Sequence, residues 1–233
     1  MALTGKAIVA IWNDITEDGR DNFYEWHNRE HMPERLSIAG FLRGRRYRTI
    51  PGQFAGSPEY FTLYEVQDAQ VLSGAAYLAR LNSPTDWTRA SVLHFRNVAR
   101  SLCINEMTQG VGSGGFMATL RFDCDVADDE VVRRHFDAVI TSLLQGSGTV
   151  ACHASRADLG ASSAKTAEQT GRPDNAVPRW VVLVETSTGA AAQAAVTGPL
   201  GKHELAGLAV TQAASGVYAL QFDLLAPEIS SRS

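Results

Sequence analysis

One order of elements can be read twice along this chain, and that repetition limits the available folds more than any single motif. Residues 6–13, "KAIVAIWN", form an apolar, β-branched run of strand length, and Asp18-Gly19 supplies a turn. From Asp21 the period changes, with Phe23, Trp26, His27, Glu30 and His31 recurring at three- and four-residue steps, which predicts a helix. Pro33 is expected to disturb or end it, with one more turn before Gly40. Strands follow at 41–50, where aromatic and apolar residues alternate with arginines, and at 60–66, with a loop over 51–59 between them. A helix over "AQVLSGAAYLARL", another opened by Ser83-Pro84, and a strand over 98–107 complete the set. After "GVGSGG" the order begins again, ending on "GVYALQFDL".

Each set reads β-α-β-β-α-β, the ferredoxin-like unit. Such a unit packs both helices on one face of an antiparallel sheet and leaves the other face bare, so something must cover it. Two units in one chain can cover each other. The expected fold is therefore α+β, a tandem duplication of 1–109 and 116–233 joined by the Gly-rich linker 110–115. The two antiparallel sheets would pack face to face as an α/β-barrel, an internal pseudo-dimer whose free sheet edges leave room for a homodimer. The linker also spells G-x-G-x-x-G, but it runs into a strand, whereas a dinucleotide fingerprint opens a helix.

Composition narrows the partners. A net charge of -4 over 233 residues gives no electrostatic case for nucleic acid or an anionic membrane. The expected partner, from the acid/base site described below, is a small-molecule ligand. Cys103, Cys124 and Cys152 are odd in number and form no C-x-x-C, as expected of core thiols in a reducing compartment. The first apolar run is too short for a signal or membrane segment, so a cytoplasmic protein is expected.

Chemistry concentrates in "WHNREH", residues 26–31. His27 and His31 are four apart and share a helical face with Phe23, which points them inward. Three readings stay open. As H-x-x-E-H the string spells an inverted zinc-peptidase site with Glu30 as base. Such a site needs a third ligand, and residues 68–100 offer Asp86 and His94 in no recognisable motif. As an acid/base site, it would use His31 at the rim of an apolar cavity. Arg43, Arg45 or Arg46 would face a developing oxyanion, and Tyr47 or Tyr64 would supply hydrogen bonds. Alternation puts Arg43, Arg45 and Tyr47 on one strand face and Arg46 and Arg48 on the other, without saying which meets the cavity. As a lattice, Glu30, Glu34 and the arginines would tie helix to sheet around two satisfied histidines. An ungapped comparison of the repeats sets His27 against His135, His31 against Val139, Arg43 against Ala151 and Arg46 against Ala154. On that alignment the polar cluster belongs to the first half.

The run "FYEWHNREHMPERLSIAGFLRGRRYR", with "YFTLYEV" and "LSGAAYLARLNSPTDWTR", resembles the dimeric α/β-barrel superfamily and an EthD-like bacterial branch of it. The resemblance implies a ferredoxin-like barrel with a histidine of the "W-H-x-x-x-H" segment beside its cavity. The implied activity is cofactor-independent chemistry on an aromatic, polyketide-like or otherwise enolisable substrate. The expected catalytic set is His31, His27, Arg43, Arg46 and Tyr64, with no metal and no cofactor. A non-catalytic ligand-binding or structural barrel is the alternative. Residues 158–178 are read as a long polar loop, either a lid or disordered.

Overall fold

The computed structural model describes residues 3–50, 57–170 and 173–230; part of the 51–59 loop and residues 171–172 of the polar segment lie outside that set. The first half contains β1 (Ala7–Ile15), α1 (Arg20–Trp26), a π-helical turn (His27–His31) and α2 (Met32–Leu36). It continues with β2 (Phe41–Thr49), β3 (Tyr60–Val66), α3 (Ala75–Asn82), α4 (Asp86–Val92) and β4 (Phe95–Gly110). The second half contains β5 (Phe116–Cys124), α5 (Asp129–Leu143), β6 (Thr149–Ala157) and α6 (Leu159–Ser162). It closes with β7 (Trp180–Thr186), α7 (Gly189–Thr197), β8 (Val210–Leu225) and α8 (Ala226–Ser230).

The eight strands form one closed barrel in the order β1-β3-β2-β8-β5-β7-β6-β4, every pair antiparallel. Read as two halves, this is 4-1-3-2 followed by 8-5-7-6, the same internal order twice. The sheets are therefore joined at their edges by β2–β8 and β4–β6 as well as facing each other. Among the described residues each of the eight strands is paired on both sides, so the barrel has no free sheet edge.

Alternation along the strands sorts the core into an inside and an outside. Trp12, Phe61, Leu63, Met117, Val181 and Tyr218 fill the barrel. Outside, α5 and α7 lay Phe136, Ile140 and Val196 over the second half, while Met32, Leu36, Tyr77 and Leu81 cover part of the first. Both helical layers bury apolar area at roughly 25 cal/mol per Å², the main stabilising term.

Two expectations change and one is sharpened. Pro33 disturbs the helix without ending it, and one more turn, α2, follows. The proline's missing N–H and its clash with the carbonyl four residues back are absorbed by the π-helical turn before it, where Met32 N–H donates to the His27 carbonyl. α4 is capped by Thr85, whose hydroxyl accepts from the Thr88 N–H, and not by Ser83. The polar segment is built rather than structureless. It carries α6 and a short 3₁₀ turn at Ala167–Gln169 closed by a capping box from Thr166, and Ala176 bridges to Ala99.

One end of the barrel is plugged by charge. The pairings Ile8↔Glu65 and Met117↔Glu185 set both glutamates at the same end, and Arg45 spans them. Its Nη1 lies 2.9 Å from Glu185 and its Nη2 3.0 Å from Glu65, with all three side chains 0% exposed. His153 Nε2 approaches Glu185 to 3.4 Å, an electrostatic contact. The registers are matched: Arg45 stands beside Arg43↔Glu65 as His153 stands two beyond Ala151↔Glu185. At the other end, Trp12↔Phe61 and Arg121↔Val181 frame an open mouth.

Among the described residues, no helix is long and apolar enough to cross a membrane. Cys103 and Cys152 are buried free thiols, and burial pushes Cys152 up to about 12.

Candidate active site

The site grows out of the π-helical turn. It carries His27 and His31 against the outer face of the first-half sheet, buried at 3% and 7% exposure. Their rings stack at 5.6 Å, His27 also stacks on Phe23 at 5.1 Å, and His31 packs on Trp26 at 4.3 Å. In front of them is a cavity of about 50 Å³ walled by Asn13 of β1, Trp26, Arg100 of β4, and Glu168 and Asn175 of the polar segment.

Arg46, on the outward face of β2, reaches this site. Its guanidinium donates to His27 Nδ1 at 3.1 Å and to Asn28 Oδ1 at 2.8 Å, with the rings of Phe23, Tyr24 and Phe222 around it. A guanidinium can only donate, so His27 is neutral at Nδ1 and carries its proton on Nε2. Burial, then the charges of Arg46 and Arg35, hold the His27 imidazolium well below its ordinary value of 6.5. A neutral His27 can donate a hydrogen bond but resists protonation.

This has a stability consequence. Below pH 6.5 the unfolded chain protonates its histidine while folded His27 does not, so stability falls as pH falls from about 6.5. His27→Gln, which keeps an acceptor for Arg46, is expected to flatten the dependence of urea-unfolding free energy on pH between 6.5 and 5. An unchanged slope in that variant would show that His27 is not the group responsible.

The other sequence candidates are placed differently. Arg43 faces the barrel side and pairs with Asp223, its Nε 2.8 Å from Oδ1, and with Ser113. Tyr64 is buried beside Phe41 rather than in the cavity wall, its hydroxyl makes no hydrogen bond among the described residues, and burial raises its pKa. Arg45 and Tyr47 lie inside the barrel. His31, His27 and Arg46 are thus brought together, and Arg43 and Tyr64 are not. Asn13, Arg100 and Glu168 are site residues that sequence reasoning missed. Arg100 donates to Tyr77 Oη at 2.7 Å, and Glu168 pairs with buried Arg35. An Asn or Arg at one strand position carries no local signal, and Glu168 arrives from 133 residues beyond Arg35.

The zinc-peptidase spelling dissolves in this geometry. Glu30 accepts from Thr85 and Thr88, at 2.5 and 3.2 Å, and ties α4 to the turn instead of facing the histidines. Asp86 pairs with Arg89, and His94 bonds Thr16. No group of three potential ligands with metal-site geometry occurs among the described residues. Arg46 also places a positive charge beside the His27 ring, 3.1 Å from Nδ1, which opposes a cation there.

The second half has no counterpart of this pair. Helical burial aligns Phe23 with Val132, which moves the ungapped comparison by one residue. Phe136 and Ile140, both 0% exposed, then occupy the places of His27 and His31, and His135 and Val139 do not.

No protein-family model matches the chain, and no curated protein matches it. Solved structures do. An anthrone oxidase-like protein superposes with a TM-score of 0.64 at 9% identity, covering 97% of this chain and 96% of its own. A protein of Lactobacillus acidophilus NCFM, provisionally named a monooxygenase, gives 0.56 at 11% identity, covering 95% and 97%. A protein provisionally named chlorite dismutase TA0507 gives 0.53 at 13% identity, covering 97% and 98%. What the chain shares with these proteins, along nearly its whole length, is the closed α+β barrel with helices on its outer face.

Proposed function

We propose that this chain is a cofactor-independent, EthD-like cytoplasmic enzyme that removes a proton from an aromatic or otherwise enolisable small molecule, with His31 as the base. The observation that carries this reading is the buried histidine pair, in which Arg46 holds His27 neutral beside His31 and Arg100. On this reading His31 takes the proton, His27 Nε2–H donates to the substrate oxygen, and Arg100 opposes the charge developing there. The cavity of about 50 Å³ holds a water-sized molecule and no ring. Substrate entry therefore requires the segment carrying Glu168 and Asn175 to withdraw, which gives that segment the role of a lid.

The same proposal takes 1–109 and 116–233 as duplicated units pairing internally across 110–115. Support comes from the repeated strand order and from matched bulges in β4 and β8, where Asn97 and Gln212 adopt left-handed φ of 51° and 53°.

Anthrone is the probe suggested by the structural likeness to an anthrone oxidase-like protein. Loss of its C10 proton to His31 leaves a carbanion, dioxygen takes the electrons, and anthrone plus O2 becomes anthraquinone plus water. Oxygen uptake above the buffer rate is expected, with His31→Asn lowering kcat/KM by roughly 100-fold or more while the far-ultraviolet spectrum is unchanged. Equal rates for the wild type and His31→Asn would overturn the assignment of the base. A second reading, a non-catalytic barrel, is favoured by the small cavity and by the Arg35–Glu168 and Arg80–Glu34 pairs beside it. It expects no turnover at all.

A further inference from the structure

The open end of the barrel holds a second cavity of about 800 Å³, separate from the histidine pair although Phe95 and Val98 border both. That volume suits a ligand of two or three fused rings. Its wall is largely apolar, with Phe95, Val98, Ala99, Pro178 and Ala214 around the opening. Arg121 of β5 points into it from the barrel side, its guanidinium 4.8 Å above the Trp12 ring.

The fully buried arginines all have partners. Arg35 pairs with Glu34 and Glu168, Arg45 with Glu65 and Glu185, Arg46 with Asn28 and His27, and Arg179 with Asp129. Half-buried Arg121 makes no ion pair and no side-chain hydrogen bond among the described residues. Burial lowers its pKa against the weaker attraction of Tyr218 and Asp14. A guanidinium withdrawn from water without a counter-ion is costly, and an incoming anion would repay that cost.

The remaining charges around the cavity do not supply that counter-ion. Asp123 accepts the Arg179 N–H at 2.9 Å, and Asp174 stands exposed at the rim, 3.9 Å from Lys165. Arg96, also at the rim, donates to the Leu93 and Phe95 carbonyls and adds positive charge. The left-handed residues Asn97 and Gln212 both border the opening, so the two bulged strands that shape it are the ones bearing backbone strain.

We propose that this mouth is a binding site for an apolar or aromatic organic anion, its carboxylate on Arg121 and its ring against the apolar wall. The site does not depend on the reading of His31. The experiment is calorimetric titration with 2-naphthoate and with neutral 2-naphthamide. Wild-type protein is expected to bind naphthoate at least 10-fold more tightly than the amide. Arg121→Gln should abolish that preference while leaving the amide unchanged, and Ala214→Phe should weaken both probes by filling the cavity. His31→Asn should leave both affinities as they are. Naphthoate bound equally well by the wild type and Arg121→Gln, or neither probe bound by the wild type, would overturn the proposal. Should Arg121→Gln lose its cooperative melting transition, the wild-type preference for naphthoate over naphthamide decides alone.

Discussion

Arg45→Met is expected to destabilise the protein by about 3–5 kcal/mol, a large part of the total for most domains. In a chain of this size that corresponds to a fall in melting temperature of about 10 °C or more. Arg45 bridges Glu65 and Glu185 at one end of the barrel, with none of the three exposed. Without the guanidinium the two buried carboxylates would keep Thr4 N–H and Oγ on Glu65, and Gly114 N–H and the approach of His153 on Glu185. A triple variant, Arg45→Met with Glu65→Gln and Glu185→Gln, removes the stranded charge and should recover at least half of the loss. Urea unfolding of the three proteins measures this directly. A single variant within about 1 kcal/mol of wild type would mean that the cluster does not hold the barrel end.

The same cluster sets a pH dependence. Burial alone would raise the Glu185 carboxyl, but the pull of His153 and Arg45 holds it down to about 2, from an ordinary 4.5. Between those values the unfolded chain binds a proton that folded Glu185 refuses. This contribution is therefore complete above pH 4.5 and is lost as pH falls towards 2. In Arg45→Met the carboxyl is freed to rise, so protonation would relieve the fold. The gap between variant and wild type should narrow from pH 7 to pH 4.

Gly114→Ala is the second large effect, about 2–3 kcal/mol destabilising, whereas Gly115→Ala next to it should change stability by less than about 0.5 kcal/mol. A Cβ on Gly114 would lie 2.3 Å from the Thr186 carbonyl oxygen and 2.5 Å from its nitrogen. Those are backbone atoms of a strand end paired to Phe116 and Thr149, so nothing there can turn aside. Gly114 also gives its N–H to Glu185, which couples the connection to the charged plug. At Gly115 a Cβ would meet nothing within 4 Å. Paired thermal melts of the two variants test whether "GVGSGG" is a loose tether or a fitted piece. Equal melting temperatures would mean a loose tether.

The order of elements was legible because hydrophobic period is a local property. "YFTLYEV" became β3, and the Phe23-Trp26-His27 spacing became the buried face of α1 and the turn after it. The disturbance at Pro33 was legible, but its form was not. A proline rule considers the residues beside it, and the remedy, an i→i−5 turn, is selected by packing the whole segment on the sheet. The order within the polar segment was not legible, because composition does not show which distant groups will hold it, here Arg35 through Glu168 and Ala99 through Ala176.

For the candidate site, sequence sufficed to find the histidines and to divide the strand arginines into two faces. Alternation dictated that Arg45 and Arg46 point oppositely. It could not dictate that Arg46 meets His27 while Arg45 meets a carboxylate 140 residues away. By itself the sequence determined the two sets of strands and helices, the inward histidine pair and the alternation of β2, all of which depend on neighbours a few residues apart. Closure of the barrel, the neutral state of His27, the arrival of Asn13, Arg100 and Glu168, and an Arg121 at the open mouth with no ion pair among the described residues were decided by tertiary structure. Each of these depends on which charges and apolar surfaces from separate strands are brought together away from water, and that distance is set by the strand order and register of the whole barrel.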